Sequence, residues 1–300
     1  MGGPGDDSLS ANAGNDQLYG DDHQQVGTDG ADKLVAGTGD DPAAGGGGND
    51  RMYGQDGADE FFGGEGDDIL SGNDGNDFLD GEAGDDTITG GLNGRPSVIV
   101  RGDRLFGGAG DDALDGGPGE DFLYGEEGDD DLLGGADFNQ MFGGPGTDTI
   151  TNGDNGSGYI CGDYYGLEEG TTQTGAGDTI TGGAGPEIIY ASCRYNDEPI
   201  VDDGSANTVN GGGGDDEIYG SNGDDTIDGG AGTDTLRGGD GDDTMNGNTG
   251  DDDDLEGDAG ADTLGGGDGT GDSCDGGADI DAFLGGSLAS SGCEDVIGVP

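Results

Sequence analysis

The sequence predicts an all-β solenoid, in which one short structural unit repeats along an axis. Three observations support this prediction: a nine-residue period, one large apolar residue in each period, and a glycine-rich stretch between successive apolar residues. Residues 63–89, for example, read GGEGDDILSGNDGNDFLDGEAGDDTIT. Each unit follows the pattern G-G-x-G-x-D-x-U-x, where U is a large apolar residue. Eighteen units keep both the fourth-position glycine and the sixth-position aspartate, which chance does not produce in register.

Each unit contains one predicted strand, x-U-x, whose side chains alternate between two faces. The apolar residue points inward and its neighbours point outward, so one apolar residue in nine is enough for a thin core between two sheets. The glycines permit positive φ angles and close backbone approach in the turns. The inward position is filled by Leu9, Leu18, Leu34, Ala43, Met52, Phe61, Leu70, Leu79, Ile88, Leu105, Leu114, Leu123, Leu132, Met141, Ile150, Ile180, Ile189, Ile218, Ile227, Leu236 and Met245.

The composition, taken alone, is typical of a disordered chain. The 300 residues include 69 acidic and 7 basic residues, a formal net charge of -62 and 78 glycines. Such a chain buries too little apolar surface to offset its conformational entropy in a single globular core. The charge argues against nucleic acid and anionic membranes as partners and favours cations. No apolar run approaches the ~20 residues that span a bilayer, and no signal peptide is recognisable after Met1.

The sixth position supplies the candidate metal ligands. Calcium binds six to eight oxygen atoms from carboxylates and backbone carbonyls, and glycine-rich turns can direct several carbonyls at one point. Without a cation, stacked turns would set these aspartates about 5 Å apart with nothing between them, so we expect folding to require ion binding. The candidate ligands are Asp7, Asp16, Asp32, Asp41, Asp50, Asp59, Asp68, Asp77, Asp86, Asp112, Asp121, Asp130, Asp148, Asp216, Asp225, Asp234, Asp243 and Asp262.

These units resemble the nonapeptides of the repeats-in-toxin (RTX) family of haemolysin-type calcium-binding proteins, over about nine-tenths of the chain. The resemblance implies a right-handed parallel β-roll, in which each unit forms a half-coil of six turn residues and three strand residues. Calcium ions would lie between turns of one edge, eighteen residues apart. Asp68 and Asp86 would then share a site, whereas Asp77 would belong to the opposite edge. Turns of this family use the fifth residue mainly through its backbone, so the resemblance implies that fifth-position side chains, such as those of Asp67, Asp85 and Asp111, are solvated. Counting such neighbours predicts roughly a dozen ions.

The period is interrupted near residues 20–26, 90–97, 152–174 and 191–201. We therefore predict a β-roll domain over residues 1–265 with insertions at these places. Degenerate repeats and a C-terminal cap follow over residues 266–300, because a solenoid must cover its open end. The apolar residues that would cover this end are Leu284, Leu288, Val296 and Ile297.

Two turns depart from the pattern without interrupting the period. Arg101 replaces the fourth-position glycine before Asp103, so we expect this turn to bind calcium poorly. In the turn before Met141, Asp137 replaces glycine and Asn139 replaces aspartate.

The four cysteines allow three disulfide pairings. Cys161 and Cys193 fall in two interrupted segments that should leave the same edge about one strand spacing, ~4.8 Å, apart, which suits bridged Cα atoms. We therefore favour Cys161–Cys193 together with Cys274–Cys293. A zinc site would lack paired C-x-x-C spacing and would have only His23 to assist. Disulfides favour an extracellular location, secreted or at the cell surface.

Outward-facing aromatic residues recur at the ninth position of alternate units, at Tyr19, Phe62, Phe106, Tyr124 and Phe142. If alternate units belong to different sheets, one sheet carries an aromatic stripe. The preference of aromatic residues for strands, or cover by an inserted loop, would explain such a stripe. The alternative is a contact surface for self-association, a carbohydrate or another surface.

The favoured function is a secreted, calcium-binding structural or adhesive β-roll that folds at extracellular calcium levels of ~10⁻⁴–10⁻³ M. The alternatives are a self-assembling filament or surface-layer subunit, and the C-terminal calcium-binding module of a larger secreted enzyme or toxin. Catalysis is not expected, because the chain has one histidine and neither a G-x-S-x-G nor an H-E-x-x-H motif.

Overall fold

The structure is a computed structural model that describes residues 1–3, 5–21, 30–92, 102–153, 156–165, 176–194, 204–251, 253–277, 282–283, 293 and 295–297. All regular structure in these ranges is β-strand, which confirms the predicted fold class. The strands belong to two compact units, Met1–Met141 and Phe142–Pro300. Within the described ranges, no helix has the length and apolarity that crossing a bilayer would require.

The first unit is built from parallel strands that alternate between two sheets. The odd-numbered strands β1 to β13 lie side by side in chain order in one sheet, and the even-numbered strands β2 to β14 do so in the other. Two consecutive strands, one in each sheet, therefore make one coil. The strands are β1 (Ser8–Ser10), β2 (Leu18–Tyr19), β3 (Lys33–Thr38), β4 (Pro42–Gly47), β5 (Arg51–Asp56), β6 (Glu60–Glu65), β7 (Ile69–Asp74), β8 (Phe78–Ala83), β9 (Thr87–Leu92), β10 (Arg104–Ala109), β11 (Ala113–Asp115), β12 (Phe122–Glu127), β13 (Asp131–Leu133) and β14 (Phe138–Phe142).

The second unit repeats this alternation, with odd-numbered strands in one sheet and even-numbered strands in the other. Its neighbouring strands are again parallel, for example β16 with β18 and β21 with β23. The strands are β15 (Thr149–Thr151), β16 (Ser157–Tyr165), β17 (Thr179–Thr181), β18 (Glu187–Arg194), β19 (Thr208–Gly213), β20 (Glu217–Tyr219), β21 (Thr226–Ala231), β22 (Thr235–Asp240), β23 (Thr244–Thr249), β24 (Asp254–Ala259), β25 (Thr263–Gly265), β26 (Ser273–Asp275), β27 (Ala282–Phe283) and β28 (Asp295–Ile297).

The core is a stack of the inward residues predicted from the period. Leu70 pairs with Ile88, and Ile88 pairs with Leu114, so that each apolar residue lies directly on the next. All the predicted inward residues are buried except Leu9, which is half-buried on the outermost strand. The same inward position is also taken by further buried residues, namely Ile160, Val209, Leu255, Leu264 and Cys274.

Many strands are six residues long, twice the three residues that the family resemblance implied. In β7 and β9 the pairing begins at Ile69 with Thr87 and continues to Asp74 with Leu92. The first three turn residues of each unit therefore also bond to the next coil. This follows from the repeat itself, because successive coils place the same backbone conformation in the same register.

The turn glycines have the conformations that the sequence predicted. Gly66, in the fourth position, has a φ angle of 123°, and a Cβ atom there would lie 2.5 Å from the carbonyl oxygen of Gly48 in the neighbouring coil. Both the positive φ and the close coil spacing thus favour glycine. Asp137, which replaces glycine in one turn, takes the same left-handed region with a φ angle of 74°.

The predicted interruptions are partly visible. β16 lies within the segment 152–174, and β18 extends into the segment 191–201 as far as Arg194, so both segments contribute paired strand. Within the four segments, residues 22–26, 93–97, 154–155, 166–174 and 195–201 lie outside the described residues. His23, Arg101, Leu284 and Leu288 lie outside them as well. β26 and β28, in the predicted cap, continue the parallel pairing of the coils.

The inward stack should be far more sensitive to truncation than the outer face. We expect Ile88→Ala to lower the free energy of unfolding of the calcium-loaded protein by about 2–5 kcal/mol, because Ile88 is fully buried. Ile69→Ala, on the outer face of the same sheet and 36% exposed, is the matched control and should change it by about 0.5 kcal/mol or less. Urea unfolding followed by circular dichroism measures both; equal losses would contradict the assigned faces.

Candidate metal centres

A ladder of sixth-position carboxylates runs along each edge, where an edge is the row of turns that lead into the strands of one sheet. Each carboxylate uses Oδ1 to accept the backbone N–H of the sixth residue in the preceding coil. Oδ1 of Asp86 accepts the N–H of Asp68 at 2.7 Å, and Oδ1 of Asp68 accepts the N–H of Asp50 at 2.7 Å. On the opposite edge, Oδ1 of Asp77 accepts the N–H of Asp59 at 2.8 Å. One carboxylate oxygen therefore helps to hold each coil in register.

The second oxygen of these carboxylates is buried and has no hydrogen-bond donor among the described residues. A buried charged oxygen without a partner carries a high desolvation cost, so it requires either a proton or a cation. This arrangement is shared by the Oδ2 atoms of Asp32, Asp41, Asp50, Asp59, Asp68, Asp77, Asp86, Asp103, Asp112, Asp216, Asp234 and Asp243.

A backbone carbonyl faces the same small space as each Oδ2 atom. A Cβ atom built on Gly63 would overlap Oδ2 of Asp68 and lie 2.7 Å from the carbonyl oxygen of Gly81 in the next coil. On the opposite edge, a Cβ on Gly54 would overlap Oδ2 of Asp59 and lie 2.6 Å from the Gly72 carbonyl oxygen. The first-position glycine thus leaves room beside a carboxylate and a carbonyl. These are the oxygen types that calcium prefers, so the residues fit the ion.

Carboxylate side chains alone do not complete these sites. Within the described ranges, no three His, Cys, Asp or Glu side chains come together as a metal-binding group. Each of these spaces, called a cradle below, combines a sixth-position carboxylate of one coil with a backbone carbonyl of the next. An ion there would supply positive charge between successive turns.

The buried carboxylates have raised pKa values because burial disfavours their charged form. Burial raises the pKa of Asp68 to about 6 and that of Asp77 to about 7, while the backbone N–H bond opposes the shift. For Asp103, burial first and the charges of Asp77 and Asp121 next raise the pKa to about 8. Among the described residues, no basic side chain offsets the charge of these carboxylates. The ion pair found there joins Arg237 to Glu256 on the outer surface.

The calcium-free fold should consequently be stable in acid and lost as the pH rises. The folded carboxyls have pKa values of about 6 to 8, above the ordinary value near 4, so the folded chain binds more protons than the unfolded chain. In excess chelator, we expect the strand signal in circular dichroism to be greatest below about pH 5 and to disappear as the pH rises through about 6 to 8. A strand signal that grows with pH in chelator would contradict this.

The candidate ligands predicted from the sequence differ in burial along the chain. From Asp32 onward all of them are buried, whereas Asp7 and Asp16 are half-buried near the start of the roll. Asp225 differs from the others, because its Oδ2 accepts the backbone N–H of Ser221 at 2.8 Å.

Sequence reasoning missed three buried aspartates that take the same position: Asp178, Asp253 and Asp272. Asp103, in the turn that we expected to bind calcium poorly, also takes this position and is buried. Each of the four stands two residues before an inward residue, but its turn lacks the fourth-position glycine. The spacing to the inward residue alone would have found them. Among the described residues, this position is otherwise filled by Asn139, Gly158, Asn207 and Glu187. Asn207 still accepts the Asp178 N–H through Oδ1 at 2.8 Å.

The fifth-position carboxylates are exposed, as predicted, but they are not merely solvated. Oδ1 of Asp67 accepts the backbone N–H of Asp85 at 3.2 Å, and Oδ1 of Asp85 accepts that of Asp111 at 3.2 Å. Oδ1 of Asp111 accepts that of Asp129 at 3.0 Å. A second, outer ladder of hydrogen bonds therefore connects the coils.

The cysteines are joined in the favoured pairing. The Cα atoms of Cys161 and Cys193 are 5.9 Å apart, and those of Cys274 and Cys293 are 5.4 Å apart. Cys161 and Cys193 lie in the adjacent strands β16 and β18 rather than in inserted loops. Cys274 fills an inward core position in β26, so its disulfide ties Cys293 to the C-terminal coils.

An aromatic stripe lies on the even-numbered strands of each unit. In the first unit, ring centroids are 5.7 Å apart for Phe62 and Phe78, 5.2 Å for Phe78 and Phe106, and 5.0 Å for Phe106 and Tyr124. The last pair is parallel, so each ring covers one face of the other. In the second unit the corresponding stripe is Phe142, Tyr159, Tyr190 and Tyr219.

A four-copy model of the RTX calcium-binding nonapeptide repeat matches residues 1–23, 26–61, 62–93, 101–132, 124–156, 201–236 and 219–253. The chain belongs to the RTX calcium-binding repeat family. This assignment agrees with the RTX turn geometry above, in which turns such as those before Leu70 and Phe61 present a carboxylate and a carbonyl to one space. Residues 157–200 lie outside the RTX match. A search of curated proteins found no match to the chain.

We expect calcium binding at neighbouring RTX sites of one edge to be coupled, and calcium binding at sites of opposite edges to be independent. Asp68 and Asp86 lie one coil apart on one edge, whereas Asp77 lies on the other. We expect the effects of Asp68→Asn and Asp86→Asn on calcium binding to be non-additive, because neighbouring coils build one cradle, and those of Asp68→Asn and Asp77→Asn to add. Calorimetric calcium titration of the single and double variants measures this; equal coupling of both pairs would refute the assignment of edges.

Proposed function

We propose that the protein is a secreted structural or adhesive module whose β-roll forms when calcium binds between its coils. The observation that carries this proposal is the row of buried sixth-position oxygens that have no donor, each beside a backbone carbonyl. Membership of the RTX repeat family supports calcium as the ion. Counting same-edge neighbours leads us to propose roughly a dozen ions.

The negative charge of the chain makes its folding depend on calcium. With a formal net charge of -62, the chain repels itself when it is compact. Each ion would offset negative charge beside a buried carboxylate and supply the positive charge that the protein itself lacks. Ion binding and folding are then one process, as in other domains whose metal site does not exist in the unfolded chain.

An extracellular location is supported by two features. The two disulfides are typical of proteins in oxidising compartments. Extracellular calcium-binding modules work at ~10⁻⁴–10⁻³ M calcium, which would keep such a roll folded outside a cell and unfolded where calcium is scarce. The chain would thus become rigid at the place where it acts.

We also propose that this chain is not itself an enzyme. Its carboxylates form regular rows that serve the ion sites, and the sequence has one histidine. Attachment to a larger secreted enzyme or toxin remains the alternative role for the same module. A hydrolase screen of the purified chain tests the proposal, and any turnover that survives purification would refute it.

Calcium titration of the metal-free chain tests the main proposal. We expect circular dichroism to report a cooperative gain of strand between about 10⁻⁴ and 10⁻³ M calcium, and calorimetry to report many ions. Magnesium at the same concentration is the control and should not reproduce the gain, because it demands a smaller octahedral site. A chain equally folded in excess chelator at pH 8 would overturn the proposal.

Self-association is the second candidate, and the aromatic stripe favours it over carbohydrate binding. Parallel rings such as Phe106 and Tyr124 cover each other's faces, which reduces the ring surface on which a sugar could stack. Their partly exposed outer surface is suited to another protein copy. Size-exclusion chromatography with light scattering should show calcium-dependent oligomers of the natural chain and monomers of Phe106→Ser; a calcium-loaded monomer at high concentration would exclude this role.

A further inference from the structure

Strands β16 and β17 form one coil and β18 begins the next; all three lie in residues 157–200, outside the match to the family repeat. They keep the fold of the repeats, but the turn that leads into β18 differs in its chemistry. Glu187 stands in the sixth position of this turn, where most described turns carry aspartate, and its side chain is buried. Its backbone N–H donates to Oδ1 of Asp216 at 2.9 Å, as in the regular ladder.

The extra methylene of glutamate brings two carboxyl groups together. The side chains of Glu187 and Asp216 are within hydrogen-bonding reach of each other. Neither Oε2 of Glu187 nor Oδ2 of Asp216 has an N–H or O–H donor among the described residues. Two buried carboxylates in contact repel each other unless a cation lies between them or one keeps a proton.

Backbone carbonyls line the same space. A Cβ atom on Gly183 would lie 2.5 Å from the carbonyl oxygen of Gly153, 2.8 Å from that of Gly156 and 3.3 Å from Oε1 of Glu187. A Cβ on Gly182 would overlap the carbonyl oxygen of Gly211 and lie 3.0 Å from Oε2 of Glu187. Oxygen atoms therefore surround the Glu187 carboxylate on several sides.

The Asn152 amide marks the polar end of this space. Its Nδ2 donates to Oε1 of Glu187 at 3.3 Å, which fixes the direction of the carboxylate and leaves Oε2 for another partner.

A disulfide closes this coil covalently. Cys161 in β16 is bonded to Cys193 in β18, and both sulfur atoms belong to buried residues. Gly156 precedes β16 and Glu187 begins β18, so the bond holds together the two strands that contribute these ligands. Much of the ordering that an ion would otherwise have to impose on this coil is thus already present.

We propose that Glu187 and Asp216, with the carbonyl oxygens of Gly153, Gly156 and Gly211, form a separate calcium site that fills before the aspartate cradles of the repeats. The proposal rests on the proposed calcium-driven folding and adds the place where it begins. Two carboxylates and a covalently closed coil give this site higher affinity than the regular sites, and the occupied coil then provides the edge on which neighbouring coils form.

Calcium calorimetry of Glu187→Gln, with Asp243→Asn as the matched control, tests the proposal. Asp243 lies in the same unit but in a regular turn of the opposite edge, and its Oδ2 atom has no hydrogen-bond donor among the described residues, so its variant removes one charge without touching the Glu187 site. We expect the natural chain to show a first, tightest class of site, which Glu187→Gln weakens about tenfold or more and Asp243→Asn leaves unchanged. A Glu187→Gln chain that keeps the first class overturns the proposal.

Two further measurements keep the test decisive if Glu187→Gln fails to fold at saturating calcium. Glu187→Asp restores the repeat residue, so it should keep the total number of ions but lose the early-filling class. Substoichiometric terbium provides a spectroscopic readout, because Tyr190 lies three residues from Glu187 and should sensitise the emission of the first ion bound. Unchanged early emission in Glu187→Asp would also overturn the proposal.

The disulfide has its own test. We expect the double variant Cys161→Ser, Cys193→Ser to need about tenfold more calcium for the first transition, while the later transitions keep their midpoints. An unchanged first transition would overturn the role of the disulfide.

If the natural chain binds no calcium at all, the proposed function fails; if it binds calcium in a single class that Glu187→Gln does not alter, this inference alone fails.

Discussion

The rest of the structure depends on the different roles of the two oxygen atoms in each sixth-position carboxylate. One oxygen accepts a backbone N–H from the adjoining coil, as Asp86 does from Asp68, and the other is buried without a donor. The same side chain therefore aligns neighbouring coils and creates the need for a cation between them. Glycine beside the carboxylate and the apolar residue two positions later are consequences of this arrangement, since each coil must come close enough to share an ion and still bury a core.

The register of the coils depends on three rows of the repeat together: the inward apolar stack, the carboxylate hydrogen-bond ladder and the turn glycines. The inward stack, for example Leu70 on Ile88, prevents a one-residue slip, which would turn apolar residues outward. The hydrogen-bond ladder holds the sixth residues of neighbouring coils level with each other, and Gly66 allows the coils to approach. A core of one residue in nine is small for this length of chain. Ions and backbone hydrogen bonds therefore supply stability that apolar burial supplies in most domains.

The sequence predicted those features that repeat and missed those that occur once. The period placed Asp68 and Leu70 correctly because identical coils face identical neighbours. Requiring glycine at the fourth position excluded Asp103 and Asp272, although the backbone takes a left-handed turn even at Asp137. The Glu187 site could not be read from the period, since it depends on a side chain that reaches the next coil and on strands of irregular length.

Asparagine in the carboxylate row separates two properties that aspartate combines. Asn207 accepts the N–H of Asp178 and donates its own backbone N–H to Asp225, so alignment passes through this coil without interruption. Its side chain contributes no charge and therefore creates no demand for a cation. A coil of this kind acts as a neutral spacer in an otherwise ionic column. The length of the roll and the number of ions it carries can consequently change independently in evolution, by exchanging single oxygen and nitrogen atoms at one position of the repeat.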